Sequence, residues 1–202
     1  MSIFHDVGKE LHRVLGSAIG ESFMKHQAIL AAVAQGVPLE LVLERILAAI
    51  EDESPEIIGS VLLLDRDHQS MRCAASRGLP EVYCNAINGL KIGPQAGSCG
   101  TAIYFGKPVM VSDISTDPLW AGYRELALKY GLRACWSYPL MCGGDKEHRA
   151  MGAFAVYSRE PGMPDERVTE LMRRYQHIAC IAIESSLNLT ELEESRLRLA
   201  EA

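Results

Sequence analysis

Residues 97–139 read GSCGTAIYFGKPVMVSDISTDPLWAGYRELALKYGLRACWSYP. A glycine-flanked cysteine opens the run and an apolar strand follows. A capped segment bearing Trp120 comes next, and an Arg-Ala-Cys-Trp-Ser strand closes it. Small residues allow backbone amides to approach a cavity, and the aromatic and cationic side chains after them can line it. Such a pattern fits a small-molecule pocket better than a catalytic site.

Downstream, Leu132 to Cys142 and Arg149 to Ser158 read as two long strands, joined by a hairpin turn at Gly143-Gly144-Asp145. Upstream, Ile57 to Leu64 (IIGSVLLL) is a continuous apolar run, the pattern of a central strand buried on both faces. After a turn over 65–69, Met71 to Ser76 returns as its neighbour. Pro80 to Asn88 predicts a short helix, Leu90 to Ile92 a brief strand and Cys99 to Phe105 another short helix. Pro108 to Ser112 reads as a strand whose proline sits at its first residue, where no ladder donor is missed. Asp117-Pro118 is a helix-start signal, so one helix is predicted from Pro118 to Tyr130, stopping at Gly131.

Helices flank this middle. Ser22 to Gln35 is predicted helical and breaks at Gly36-Val37-Pro38; Pro38 then suits the first position of a helix reaching about Glu51. Phe4, Val7, Leu11, Val14 and Ala18 form a shorter apolar seam before it. A terminal helix is predicted from Pro164 to the end. Along it Leu171, Tyr175, Ile178, Ala182, Ser185, Leu189, Leu192 and Leu199 keep a heptad register, interrupted at Arg196. Helices gathered on one side of an antiparallel sheet give the α+β class.

Composition sets the limits. The 202 residues are 48% hydrophobic and 23% charged, ordinary for a globular chain able to bury a core. Twenty basic against 26 acidic residues leave a formal charge of −6 with no basic block, which argues against a nucleic-acid partner. Cysteines stand at 73, 84, 99, 135, 142 and 180 without a CxxC pair, so buried free thiols are expected and a zinc site is not. The N-terminal MSIFHDVGKELHRVLG is charged throughout, unlike a signal peptide or a membrane span, so a cytoplasmic protein is expected.

Gly97, Cys99, Gly100 and Ala102, then Val111, Asp113, Ile114, Asp117, Pro118 and Trp120, then Gly131 to Ser137 and Pro139 resemble the GAF domain family of signalling sensors. The likeness spans about residues 24–186. It looks most like the subset found in bacterial sensor histidine kinases and in GGDEF/EAL proteins of cyclic di-GMP signalling. The resemblance implies a central antiparallel sheet of about six strands, with helices packed against it and long N- and C-terminal helices. It implies an N-terminal dimerisation segment (1–21), a sensor domain (22–186) and the start of a coiled-coil signalling helix (187–202). No GGDEF, EAL or kinase ATP-binding motif is visible, so the chain reads as a regulatory module rather than an enzyme. The expected partners are a small, anionic ligand and a second copy joined through the terminal helices, with neither membrane nor nucleic acid.

Candidate ligand-binding residues follow. Ser98, Cys99, Gly100 and Thr101 place unpaired amides at a helix start, which suits an anion or carboxylate; alternatively Ser98 is an N-cap and Cys99 fills the core. Trp120 and Tyr123 are wall candidates. Trp136 and Tyr138 share one strand face with Ala134, while Arg133, Cys135 and Ser137 share the other, so only one set faces the pocket. Arg133 can instead pair with Asp113 or Asp117. No haem is expected: His5, His12, His68, His148 and His177 fall on flanking helices or turns, and His148 is the least unsuitable ligand. Cys99 also resembles the cysteine of the Gly-Val-Cys-Gly turn in free methionine-R-sulfoxide reductases, a GAF branch. That branch's His-Ile-Ala-Cys-Asp segment has no counterpart between Asp113 and Arg133, which leaves no resolving thiol placed. A ligand-free dimerisation or relay module is the remaining alternative.

Overall fold

The computed structural model describes residues 20–142 and 149–200. Residues 20–34 are helical (α1). There follow α2 (Leu39–Glu53), β1 (Ile57–Leu64), β2 (Ser70–Ser76), α3 (Glu81–Ile87), β3 (Leu90–Lys91), α4 (Gly97–Phe105) and β4 (Val109–Val111). A single 3-10 turn (Pro118–Trp120), α5 (Arg124–Lys129), β5 (Ala134–Cys142), β6 (Arg149–Ser158) and α6 (Glu166–Ala200) complete the chain. The seam from Phe4 to Ala18, the turn at Gly143-Gly144-Asp145, and His5, His12 and His148 lie outside the described residues.

Six strands form one sheet in the order β3-β2-β1-β6-β5-β4, every neighbour antiparallel. The apolar run of β1 lies at the centre because it has no polar side to turn toward water. Opposite Leu63, β6 carries Gly152, where a Cβ would sit 2.2 Å from the Leu62 carbonyl oxygen. Only glycine permits that approach of the two central strands.

Alternation along the strands separates two cores. Ala134, Trp136, Tyr138 and Leu140 of β5, with Phe154 and Val156 of β6, pack under α1, α2 and α6. Cys135 of β5, with Ala153, Ala155 and Tyr157 of β6, packs under α3, α4 and the segment 117–130. The α+β class and six-strand antiparallel sheet are as expected, but the helices cover both faces rather than one. A strand such as β1, apolar on both sides, requires two covers.

The terminal-helix side is tied by one carboxylate. Glu53, ending α2, accepts hydrogen bonds from Tyr175 Oη (2.8 Å) and Arg174 Nη2 (3.1 Å), while Arg174 Nη1 donates to Ser22 Oγ of α1 (3.3 Å). Arg167 donates to the Glu53 carbonyl (2.9 Å) and pairs with Glu56. Along α6, Leu171, Tyr175, Ile178 and Ala182 are buried, whereas all residues from 187 to 200 are exposed, Leu189, Leu192 and Leu199 included. The heptad seam therefore packs on the sheet in its first half and is exposed in its second, where Glu194 still pairs with Arg66 of the β1–β2 turn at 3.6 Å.

The single helix predicted from Pro118 to Tyr130 is broken into the 3-10 turn and α5. Asp117 does cap the start, its Oδ1 accepting from Leu119 N at 2.9 Å. The chain then turns at Ala121 and Gly122, and Gly122 carries little helical preference to bridge the gap. Arg124 seals the break by donating to the carbonyls of Ile114 (3.2 Å) and Asp117 (3.0 Å). Pro38 stands at the N-cap of α2, one place before the first helical position.

Candidate functional site

Gly97 decides the geometry at the start of α4. Its φ of +62° turns the chain sharply into the helix, and the Tyr123 ring lies against the side a Cβ would occupy, at 3.6 Å. Ala96 holds the N-cap position without a side-chain cap. Ser98 is thus not the N-cap. Its hydroxyl accepts the Trp120 indole N–H at 2.9 Å and donates toward Cys135 O at 3.5 Å, joining α4 to the 3-10 turn and to β5. Thr101 Oγ1 accepts from Ala96 N at 3.2 Å. The Cys99 sulfur lies 3.0 Å from Ser137 Oγ, and the Cys135 sulfur lies 3.7 Å from the same oxygen.

Beside this helix start is a hollow between the sheet and α3–α5. Leu62, Met71 and Tyr157 form its floor, Tyr83, Ala86 and Ile87 of α3 one wall, and Leu90, Trp120, Tyr123 and Leu126 the others. Residues 96–99 close one end. The space open to the centre of a water-sized molecule is about 50 Å³. One water needs about 10–15 Å³ on that measure, so a compact molecule of a few heavy atoms fits. No lining residue is charged. The first amides of α4 have no intrahelical acceptor and stand at this end of the hollow.

Burial raises the phenols of Tyr83 and Tyr157 well above the ordinary value, so both are neutral donors at any physiological pH. Their rings meet edge to face at 5.9 Å. Burial likewise raises the Cys135 thiol, while the hydrogen bond from Cys135, followed by that from Ser137, lowers Cys99. The chemistry on offer is an apolar box with a few fixed hydrogen-bond donors at one end.

Of the ten residues picked from sequence, Ser98, Cys99, Trp120 and Tyr123 line the hollow. Gly100 and Thr101 lie just behind it: a Cβ on Gly100 would sit 2.7 Å from that of Ala96, and Thr101 ties the loop before the helix. Asp113 and Arg133 lie outside the lining, paired at 3.8 Å. Asp113 also accepts from the hydroxyl and amide of Ser115, and these hydrogen bonds, ahead of Arg133, hold its carboxyl below the usual range. Trp136 and Tyr138 are on the opposite face, under the terminal helices, where Trp136 Nε1 donates to Gly162 O at 3.0 Å. Strand parity sends Cys135 and Ser137 to the hollow's side and the two aromatics away from it.

Met71, Tyr83, Ile87 and Tyr157 were not picked from sequence. Tyr83 and Ile87, four apart on α3, share its inner face, and Tyr157 follows the small Ala153 and Ala155 on one strand side. That run of small residues is the signal that space exists above β6. Among the described residues, no histidine lines the hollow and no group of three metal-binding side chains occurs. Nor, among them, is any helix long and apolar enough to cross a membrane.

The GAF domain family model matches residues 37–184. A methyl sulfide methyltransferase-associated sensor of Methanosarcina acetivorans is 34% identical over 178 residues. That match takes in 88% of this chain but 18% of the relative, so the chain spans less than a fifth of that protein's length. The GAF domain of an Acinetobacter phosphoenolpyruvate-protein phosphotransferase superposes with a TM-score of 0.63 at 15% identity, covering 85% of this chain and 98% of that one. Free methionine-R-sulfoxide reductase from Neisseria meningitidis, solved with its substrate, superposes with a TM-score of 0.62 at 19% identity, covering 81% and 89%. At such identities the two structures establish the shared fold alone. With its profile match, strand order and helix arrangement in agreement, the chain belongs to the GAF domain family.

Proposed function

We propose that this GAF domain senses a small, uncharged, mainly apolar molecule bearing one hydrogen-bond acceptor, held in the hollow between the sheet and α3–α5. One observation carries the reading: an apolar box closed at one end by the start of α4, where Ser98 and Cys99 present donors. The anionic ligand expected from sequence would meet no cationic side chain in the lining, because Arg124 is bonded to carbonyls and Arg133 to Asp113. Burying an unpaired charge there is costly. An acceptor atom on a neutral molecule uses the same amides without that cost.

Transmission runs through β5. Cys135 and Ser137 face the hollow's side of this strand, and Trp136 and Tyr138 face α6 from the other. Gln176 of α6 donates to Pro139 O at 2.8 Å. A ligand that fits one arrangement of α4 and β5 better than another biases α6 by that difference in affinity. Two copies pair through the exposed leucines of α6, which in a longer protein hands the signal to a histidine kinase or cyclic di-GMP output. Asp113 and Arg133 fix the loop beside the site.

The name of the Methanosarcina relative suggests dimethyl sulfide as a probe of suitable size and polarity. Thermal unfolding in the presence of dimethyl sulfide, dimethyl sulfoxide and acetate tests the reading. A neutral probe raises Tm in proportion to the logarithm of its concentration, as binding to the native state requires, and acetate does not. Ile87→Trp, which fills the hollow, abolishes the shift. No shift with any probe supports a ligand-free relay module instead.

A further inference from the structure

Exposure around the hollow is uneven. Of the residues that line it, Ala86 is exposed, Leu90, Tyr123 and Leu126 are half-buried, and the rest are buried. The mouth therefore opens between the end of α3, with β3, on one side and the start of α5 on the other.

The two lips are held differently. On the first, Asn88 Oδ1 accepts from the Cys73 amide at 2.8 Å. The amides of Gly89 and Ile92 donate to the carbonyls of Met71 (2.9 Å) and Gln69 (2.8 Å), so this lip is pinned to β2. On the second, the chain is fixed at its ends. Trp120 is held by its indole bond to Ser98 (2.9 Å), and Tyr130 by an edge-to-face contact with Tyr83 (5.9 Å) and the Arg159 bond to its carbonyl (3.2 Å). Between these points the Arg124 bonds reach back to Ile114 and Asp117, not to the sheet.

Ala121 and Gly122, both exposed, follow Trp120 directly, and a Cβ on Gly122 would meet nothing within 4 Å. An exposed link of small residues between two fixed points is where backbone rotation costs least. Tyr123 comes next. Its ring carbons Cδ2 and Cε2 rest 3.6 and 3.9 Å from the position of the Cβ that Gly97 lacks, over the donor end of the hollow. Tyr83, Trp120 and Tyr157 lock together through edge-to-face contacts, whereas Tyr123 makes no ring contact and no side-chain hydrogen bond among the described residues. Dispersion contact alone holds its ring in place.

We propose that Tyr123 is the gate of the hollow: seated against Gly97 its ring closes the mouth, and swung outward about the Ala121–Gly122 link it admits a small neutral molecule between α3 and α5. The pinned α3 lip gives the ring a constant edge to close against. The Trp120 anchor keeps the donor end intact while the ring moves. The gate rests on the hollow being the binding site, and it adds what sets the rate of entry and release.

Acrylamide, a neutral molecule of a few heavy atoms, quenches indole emission on collision, so in full-length Trp136→Phe it reports passage to Trp120. Adding Tyr123→Ala should raise the dynamic quenching constant about threefold or more. Tyr123→Phe should match the parent, because the ring and not the hydroxyl closes the mouth. Ala86→Phe, adding bulk on the opposite lip, should reverse part of the gain when combined with Tyr123→Ala. In Trp120→Phe, quenching of Trp136 under the terminal helices should not respond to Tyr123→Ala. Unchanged Trp120 quenching in Tyr123→Ala, a rise as large in Tyr123→Phe, or no reversal by Ala86→Phe overturns the proposal. So does an equal rise at Trp136, which marks a loosened domain rather than an opened mouth. The readout needs no natural ligand: quenching that depends on Tyr123 without any thermal shift from dimethyl sulfide removes that ligand class and keeps the gate.

Discussion

Against one face of the sheet, α1, α2 and α6 bury Phe154, Val156, Trp136 and Tyr138, and their polar groups answer one another: Glu53 gathers Ser22, Arg174 and Tyr175. Against the other face, α3, α4 and α5 are short, and the residues above β6 are small: Ala153 and Ala155. There a hollow remains, and donors at the start of α4 are left to whatever enters it. The same strands thus carry a clamped side and an open side. Long helices with matched side chains give the first; short helices held by loops give the second.

The largest effect expected from breaking this contrast is on the clamped side. Phe154→Ala empties a fully buried position and costs about 3–5 kcal/mol. Urea unfolding should show it as a lower midpoint with unchanged m. Next comes Glu53→Ala, which leaves Arg174 and Tyr175 without their shared acceptor and loses about 2–3 kcal/mol, hydrogen bonds to charged groups being worth that much. On the open side Ser98→Ala strands the Trp120 indole N–H and costs about 1–2 kcal/mol. It should also weaken binding of neutral probes, which Glu53→Ala should leave unchanged. If Glu53→Ala disturbed binding as much as Ser98→Ala, the two faces would not be separable.

The smallest effect is a pH dependence. His26 of α1 packs edge-on against Tyr175, with its buried Nε2 unpartnered. Burial first, then Arg174, lowers its pKa below the ordinary 6.5, against a weaker opposing pull from Glu53. The unfolded chain therefore takes up the proton more readily. This residue's contribution is complete above pH 6.5 and declines as the pH falls below it, levelling off once the folded value is passed. Thermal melts between pH 5 and 8 should show a shallow loss on the acid side, and His26→Gln should flatten it.

The frame was legible because its signals are local. A strand apolar on both sides, such as 57–64, must be central, and the heptad positions of α6 announce a long helix. The site was legible only in part. Gly97-Ser98-Cys99 and Trp120 stand together in sequence and do meet in space. Which face of β5 looks into the hollow was a two-way choice until the cover helices were placed, so Trp136 and Tyr138 were picked with Arg133 although parity separates them. Tyr83 and Tyr157, 74 positions apart, become neighbours only through the sheet. The segment from Pro118 to Tyr130 reads as one helix because Gly122 is a weak breaker beside the strong cap at Asp117, and the Arg124 side-chain bonds that seal the gap, reaching back to Asp117 and Ile114, leave no periodic signal.

The two tryptophans fall on opposite faces, Trp120 in the hollow and Trp136 under the terminal helices. Titrating dimethyl sulfide into Trp136→Phe, which leaves Trp120 as sole emitter, and into Trp120→Phe, which leaves Trp136, measures occupancy of the open side directly. Binding in the hollow predicts a saturable change in Trp120 emission, and a smaller change in Trp136, reached only through β5, that saturates at the same concentration. A response confined to Trp136, or equal and non-saturating changes in both, would contradict a ligand site between the sheet and α3–α5.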